Sequence, residues 1–95
     1  MAEVVWTRKA QNSLKKIWNF YAEKDLNAAN RIVNEILSST ERIKYVNQFQ
    51  VEEYLTKRHR RIVVKHFKVI YTSTRRRVQV LDVFDTRQSP DKMNP

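Results

Sequence analysis

Ninety-five residues suffice for one domain with one core, and a composition 41% hydrophobic and 11% aromatic is that of a folded chain rather than a disordered one. Nineteen Lys and Arg against ten Asp and Glu give a formal net charge of +9, and neither Cys nor Gly occurs. The lack of Cys excludes disulfides, thiolate metal sites and a cysteine nucleophile. The lack of Gly excludes the glycine-rich phosphate loops of Walker and Rossmann nucleotide sites. No apolar run reaches the length of a membrane span. The start, Met1-Ala-Glu-Val-Val-Trp6, has neither the basic nor the apolar stretch of a signal peptide, so a cytoplasmic protein without a membrane partner is expected.

In chain order, Val4-Val-Trp6 is a short strand candidate, and Thr7 is placed to cap the next segment. Ala10, Leu14, Ile17, Trp18 and Tyr21 recur at helical spacing, with Lys9, Lys15, Lys16 and Asn19 on the opposite side, which predicts a helix over residues 8–23. Asp25 caps a second helix over 26–38, with Ala29, Ile32, Val33, Ile36 and Leu37 as its buried stripe and Ser38-Ser39-Thr40 as its end. So short a link predicts an antiparallel helix hairpin. Residues 43–55 have no clean period. Their irregular Tyr45, Val46, Phe49, Val51, Tyr54 and Leu55 predict a structured loop held down by rings. Three strands are predicted over 60–65, 67–73 and 77–84, with tight connections at Lys65-His66 and Thr74-Arg75-Arg76. Residues 85–95 carry both prolines and are expected to be a flexible tail of a single domain spanning 1–95. The order strand, helix, helix, strand, strand, strand is that of an α+β fold. Its helix hairpin should cover one face of a mainly antiparallel sheet and leave the other face, or part of it, open.

The charge is not spread evenly. From Lys57 to the end, eleven Lys and Arg stand against three Asp, a net +8; before it, eight basic residues meet seven acidic ones, a net +1. A basic sheet is what a phosphate-rich or acidic partner would meet first. Strand alternation puts Arg61, Val63 and Lys65 on one face with Ile62 and Val64 on the other, and sets Lys68, Ile70 and Thr72 opposite Phe67, Val69 and Tyr71. Arg61, Lys65 and Lys68, joined by Arg87 just past the last strand, are thus a candidate cluster for a partner or nucleic acid. Singly, each is an ordinary solvated strand residue that discourages edge pairing; the one-sided charge argues for function in the set. Arg75, Arg76 and Arg77 at a hairpin tip are a solvated turn first and a phosphate or acidic-peptide contact second. His59 and His66, the two histidines, are candidate acid–base groups, with flanking cations to lower their pKa, although a lone turn histidine is more often polar surface. Their spacing suits no metal, and no cofactor is expected. Glu52-Glu53 is first a solvated loop and second a general base. Most rings, Trp6, Trp18, Phe20, Tyr21, Phe67, Tyr71 and Phe84 among them, are expected to pack, while Tyr45, Phe49 and Tyr54 are weak stacking candidates.

Three stretches carry a resemblance. Ala10-x3-Leu14-x2-Ile17-x3-Tyr21 followed by Ala29-x2-Ile32-x3-Ile36, then Phe67-Lys68-Val69-Ile70-Tyr71, then Val83-Phe84-Asp85-Thr86-Arg87-Gln88-Ser89-Pro90 resemble, in order and spacing, the RelE/ParE superfamily of bacterial type II toxin–antitoxin systems, in its ParE branch. The resemblance implies a growth-arresting toxin held inactive in a hetero-oligomer by a cognate antitoxin, expected to be acidic and partly disordered until bound. ParE-like toxins poison DNA gyrase. RelE-like toxins cleave mRNA in the ribosomal A site, and Arg61, Lys68 and Arg87 match three basic positions of that branch. Its C-terminal tyrosine has no equivalent here: residues 88–95 hold neither Tyr nor His, with Met93 near that place. RNA cleavage also needs a base, cations on the phosphorane and an acid. Arginine is a poor proton shuttle, which leaves His66, His59 and Lys65. The expectation is therefore a ParE-like gyrase toxin. The alternatives are a metal-independent, ribosome-dependent mRNA endonuclease using Arg61, Lys68, Arg87 and His66, or a non-toxic basic nucleic-acid-binding module.

Overall fold

The computed structural model describes residues 3–43, 55 and 58–87. The described elements are β1 (Glu3–Trp6), α1 (Arg8–Ala22), α2 (Leu26–Glu41), β2 (Arg60–Val64), β3 (Phe67–Ser73) and β4 (Arg77–Asp85). This is the predicted α+β order.

Thr7 starts α1 and also fixes where α1 sits. Its Oγ1 accepts from the Ala10 amide at 3.1 Å and donates to the Leu81 carbonyl at 3.1 Å, 74 residues away, while its own amide donates to the Val80 carbonyl at 3.0 Å. One residue thus caps the helix and ties it to β4. Asp25 opens α2 in the same way, its Oδ1 accepting from the Asn27 and Ala28 amides at 2.9 and 3.3 Å. The second helix runs three residues past its predicted end. Ser39 and Thr40 do not break it, because their hydroxyls donate to the Ile36 and Leu37 carbonyls at 2.6 and 2.8 Å and so are satisfied inside the helix. Both are buried, whereas Leu37, expected in the buried stripe, is 40% exposed. The stripe therefore leaves Leu37 and continues through Ser39 and Thr40.

The sheet order is β1-β4-β3-β2, with β1 parallel to β4 and the other pairs antiparallel. A parallel partner needs a long crossover; here the helix hairpin, β2 and β3 all intervene between β1 and β4. One face of the sheet meets the helices. Ile62 and Val64 from β2, Phe67, Val69 and Tyr71 from β3, and Val78, Val80 and Val83 from β4 pack with Ala10, Ile32 and Ile36. In β4 the inward positions slip from Val80 to Val83 because the pairing jumps from Tyr71↔Val80 to Ile70↔Asp82, leaving Leu81 as the extra residue of a bulge. The second face is only partly open. Val63 is 59% exposed there, whereas Ile70 and Phe84 form a small buried cluster with Leu55 packed on it.

Most of the loop expected over 43–55, with Glu52, Glu53, Tyr45, Phe49 and Tyr54, lies outside the described residues, as does the part of the expected 85–95 tail from Gln88 onward, with Met93; Asp85, expected in that tail, is instead the last residue of β4. Among the described residues no helix is long and apolar enough to cross a membrane.

Candidate functional site

The β2–β3 connection is two residues long, and in a chain without glycine one of them must take the left-handed conformation. Lys65 does so, at φ 54°, at a cost of about 1 kcal/mol. The turn presents the His66 imidazole to α1, where Nε2 lies 2.9 Å from the Tyr21 hydroxyl. The imidazole also lies on Phe67, with ring centroids 4.2 Å apart. The end of β4 folds onto the same turn: the Thr86 amide and hydroxyl both donate to the His66 carbonyl at 2.8 Å. Arg87 then curls back on Asp85. Its Nε lies 3.0 and 3.1 Å from the two carboxylate oxygens, its Nη2 2.6 Å from Oδ2, and its amide 2.9 Å from Oδ1. This two-pronged pairing is the strong form of an arginine–carboxylate contact. The hydrogen bonds from Arg87 hold the Asp85 carboxyl below its ordinary range against an opposing effect of burial, and His66 adds a small push in the same direction. Asp85 in turn raises the Arg87 guanidinium, with a smaller contribution from Tyr21. Tyr21, His66, Asp85 and Arg87 are therefore one interacting group, drawn from α1, the β2–β3 turn and the end of β4.

Tyr21, Asp85 and Arg87 of this group line a cleft of about 430 Å³ between α1 and β4. Ile17, Phe67, Val83 and Phe84 supply apolar lining, and Lys9, Lys16 and Arg87 supply positive charge. Phe20, 47% exposed, also lines the cleft, with the Lys24 ammonium 4.6 Å from its ring centroid. Asp82 lies in the wall. It is 8% exposed, its Oδ1 accepts from the Ser13 hydroxyl at 2.6 Å and from the Val83 amide at 2.8 Å, and Lys9 Nζ stands 3.8 Å from Oδ2.

The expected cluster of Arg61, Lys65, Lys68 and Arg87 does not form one surface. Arg61 pairs with Ile70 and Lys68 with Val63 in the β2–β3 ladder, on the face turned away from the helices. Arg87 lines the cleft on the α1 side. Lys65 leaves its expected face altogether. The strand stops at Val64, the positive φ breaks the alternation, and the ammonium reaches Glu35 of α2 at 4.0 Å. Arg75, Arg76 and Arg77 are exposed at the β3–β4 tip. There Thr74 Oγ1 accepts from the Arg76 and Arg77 amides at 3.3 and 3.2 Å, and Arg77 Nη2 stands 3.9 Å from Glu3. His59, half-buried before β2, has its pKa lowered by burial first and by Arg58 second. Among the described residues no three His, Cys, Asp or Glu side chains gather as a metal site.

Tyr21, Ser13, Asp82 and Asp85 are site residues that sequence patterns do not reveal. Tyr21 belongs to the apolar stripe of its helix, although its hydroxyl can serve a site. The one local signal is Asp85 two residues before Arg87, the spacing at which an aspartate side chain caps a following amide.

The fold and this cleft can be set beside known proteins. A solved structure of the chromosomal ParDE toxin–antitoxin system from P. aeruginosa superposes with a TM-score of 0.76 at 19% identity, over 90% of this chain and 96% of that one. Two structures of the E. coli DinJ–YafQ complex superpose at 0.54 and 0.53, each with 14% identity, over 92% and 90% of this chain and 96% and 93% of those. These likenesses are of fold. No curated protein sequence matches at a significant level. The family model described as the ParE toxin of type II toxin–antitoxin system, parDE, matches residues 4–90, nearly the whole chain, and the chain belongs to that family.

Proposed function

We propose that this protein arrests bacterial growth by inhibiting DNA gyrase and is held inactive by a cognate antitoxin in the cytoplasm. Its ParE family supports this, and so does one geometric observation: Arg61 and Lys68 lie on the face away from the helices, whereas Arg87 lies in the cleft beside α1. Cations that stabilise one phosphorane must surround one phosphate, and these three do not share a face. A docking surface for a large protein has no such requirement, because its energy resides in a few anchors, aromatic or arginine. The basic C-terminal half and the cleft's apolar lining suit an antitoxin segment that is acidic, carries apolar side chains and folds on binding. Affinity should fall with salt, but only in part. The test is purified protein in a gyrase supercoiling assay beside a ribosome-bound mRNA cleavage assay. The gyrase reading expects inhibition of supercoiling, tolerance of Lys68→Ala, and loss of inhibition on truncation after Phe84. Cleavage of mRNA in the A site, lost in Arg87→Ala, would overturn it.

A second reading, ribosome-dependent mRNA cleavage, draws support from the Tyr21–His66 pair beside Arg87, which puts an imidazole and a phenol hydroxyl next to a cation. In that reading His66 moves the proton, and His66→Gln abolishes cleavage.

A further inference from the structure

The β3–β4 connection carries Arg75, Arg76 and Arg77 in succession, all exposed, at the opposite end of β3 from the His66 turn. The 7 residues of β3 set the two ends about 20 Å apart at the usual rise of a strand. We infer that this tip is a sequence-independent docking site for the phosphate backbone of duplex DNA.

The tip is ordered from both sides. Thr74 Oγ1 accepts from the Arg76 and Arg77 amides, and the Thr74 amide donates to the Arg77 carbonyl at 2.8 Å. The Glu3 amide donates to the Arg76 carbonyl at 2.9 Å and ties the tip to β1. The three guanidiniums therefore leave a fixed backbone, which lowers the ordering cost of binding. Beside them lies a concavity of about 320 Å³ lined by Thr72, Ser73, Thr74, Arg76, Arg77 and Gln79. Among the described residues this lining holds hydroxyls, an amide and guanidiniums, with no carboxylate and no ring. Arg, Ser, Thr and Gln side chains are the usual donors to DNA phosphates. A protein partner would instead call for an apolar centre to its interface, and single-stranded RNA for rings on which bases stack. β2 pairs with β3 only up to Tyr71, so β3 runs past it through Thr72 and Ser73 into the tip. A two-stranded ribbon is of a size to enter the major groove of B-form DNA, whereas side chains cannot read the narrow A-form groove of duplex RNA. Glu3 stands 3.9 Å from Arg77 Nη2, but both side chains are more than half exposed, and solvent leaves so open a pair a weak competitor for phosphate.

The concavity at the tip shares no residue with the cleft beside α1, so the site stands whichever target the toxin inhibits. The experiment is fluorescence anisotropy of a labelled mixed-sequence DNA duplex titrated with the full chain over a range of salt concentrations. The logarithm of the binding constant falls with the logarithm of salt by about 0.9 for each phosphate neutralised. Arg75→Ala/Arg76→Ala should weaken binding and reduce that slope by about 2, while near-UV circular dichroism shows the fold kept. Arg8→Ala/Lys15→Ala removes the same charge from exposed positions of α1 and should leave the slope as in the parent. A duplex of shuffled sequence should bind equally well. An unchanged slope in the tip variant, or an equal loss in the α1 variant, would overturn the site. So would tighter binding of single-stranded RNA than of the duplex, or displacement of the duplex by a poly-glutamate peptide at equal charge concentration.

Discussion

The Tyr21 hydroxyl and His66 Nε2, 2.9 Å apart and 45 residues apart in sequence, join the last turn of α1 to the β2–β3 turn. A half-buried side-chain hydrogen bond of this kind contributes about 1 kcal/mol. Tyr21→Phe keeps the ring on Phe67 and loses only the hydroxyl, so urea unfolding should show a loss of about that size. A double-mutant cycle with His66→Gln should return a coupling of about 0.5–1.5 kcal/mol. Additive single-mutant effects would show that the bond contributes nothing.

Asp82 is a buried charge, and its three partners come from two elements. Asp82→Ala removes the acceptor for both the Ser13 hydroxyl and the Val83 amide. It should destabilise the protein by about 2–3 kcal/mol. Asp82→Asn keeps one acceptor oxygen and should cost less. Thermal unfolding of the two variants side by side checks the order.

Asp85 and His59, both with lowered pKa, act at different pH. For Asp85, folding favours the charged form, held mainly by hydrogen bonds from Arg87. Its contribution is present above the unfolded value of about 4 and is lost as pH falls through the lower folded value. Arg87→Ala should move the Asp85 carboxyl upward in a carbon-detected NMR titration and shrink that acid-side loss.

For His59, folding favours the neutral imidazole, chiefly through burial. Stability is full above about pH 6.5 and declines as pH falls from there through the lower folded value. Arg58→Ala should restore only the smaller share of the shift, because burial remains. A His59 titration midpoint at the free-histidine value in the parent protein would contradict this.

Ala10 and Ala29 are both 0% exposed, one on each helix. Side chains this small let α1 approach the sheet and let the helices approach each other. Ala29→Leu should cost about 1–3 kcal/mol by overpacking, whereas the exposed Leu26→Ala should stay within about 0.5 kcal/mol. Chemical denaturation midpoints separate the two.

The elements themselves are legible in the sequence because their signals are local. Thr7 and Asp25 announce helix starts by what one side chain can do for amides two or three residues on. The stripe from Ala10 to Tyr21 is a helical period, and Ile62 and Val64 opposite Val63 is a strand period. The end of α2 is not legible in this way, because a hydroxyl can break a helix or satisfy itself inside one, and burial of Ser39 and Thr40 selects the second. The site is decided by tertiary structure. The positive φ at Lys65 sends its ammonium to Glu35, and the turn at Thr86 lets Arg87 close on Asp85 in the cleft rather than join Arg61 and Lys68. The bulge at Leu81 likewise shifts the inward positions of β4. Sequence by itself determined which residues repeat every two or every 3.6 positions, because that period is a property of the local backbone. Only the packed chain decided which charged side chains meet, because contacts such as Tyr21 with His66 join residues whose separation in sequence carries no periodic signal.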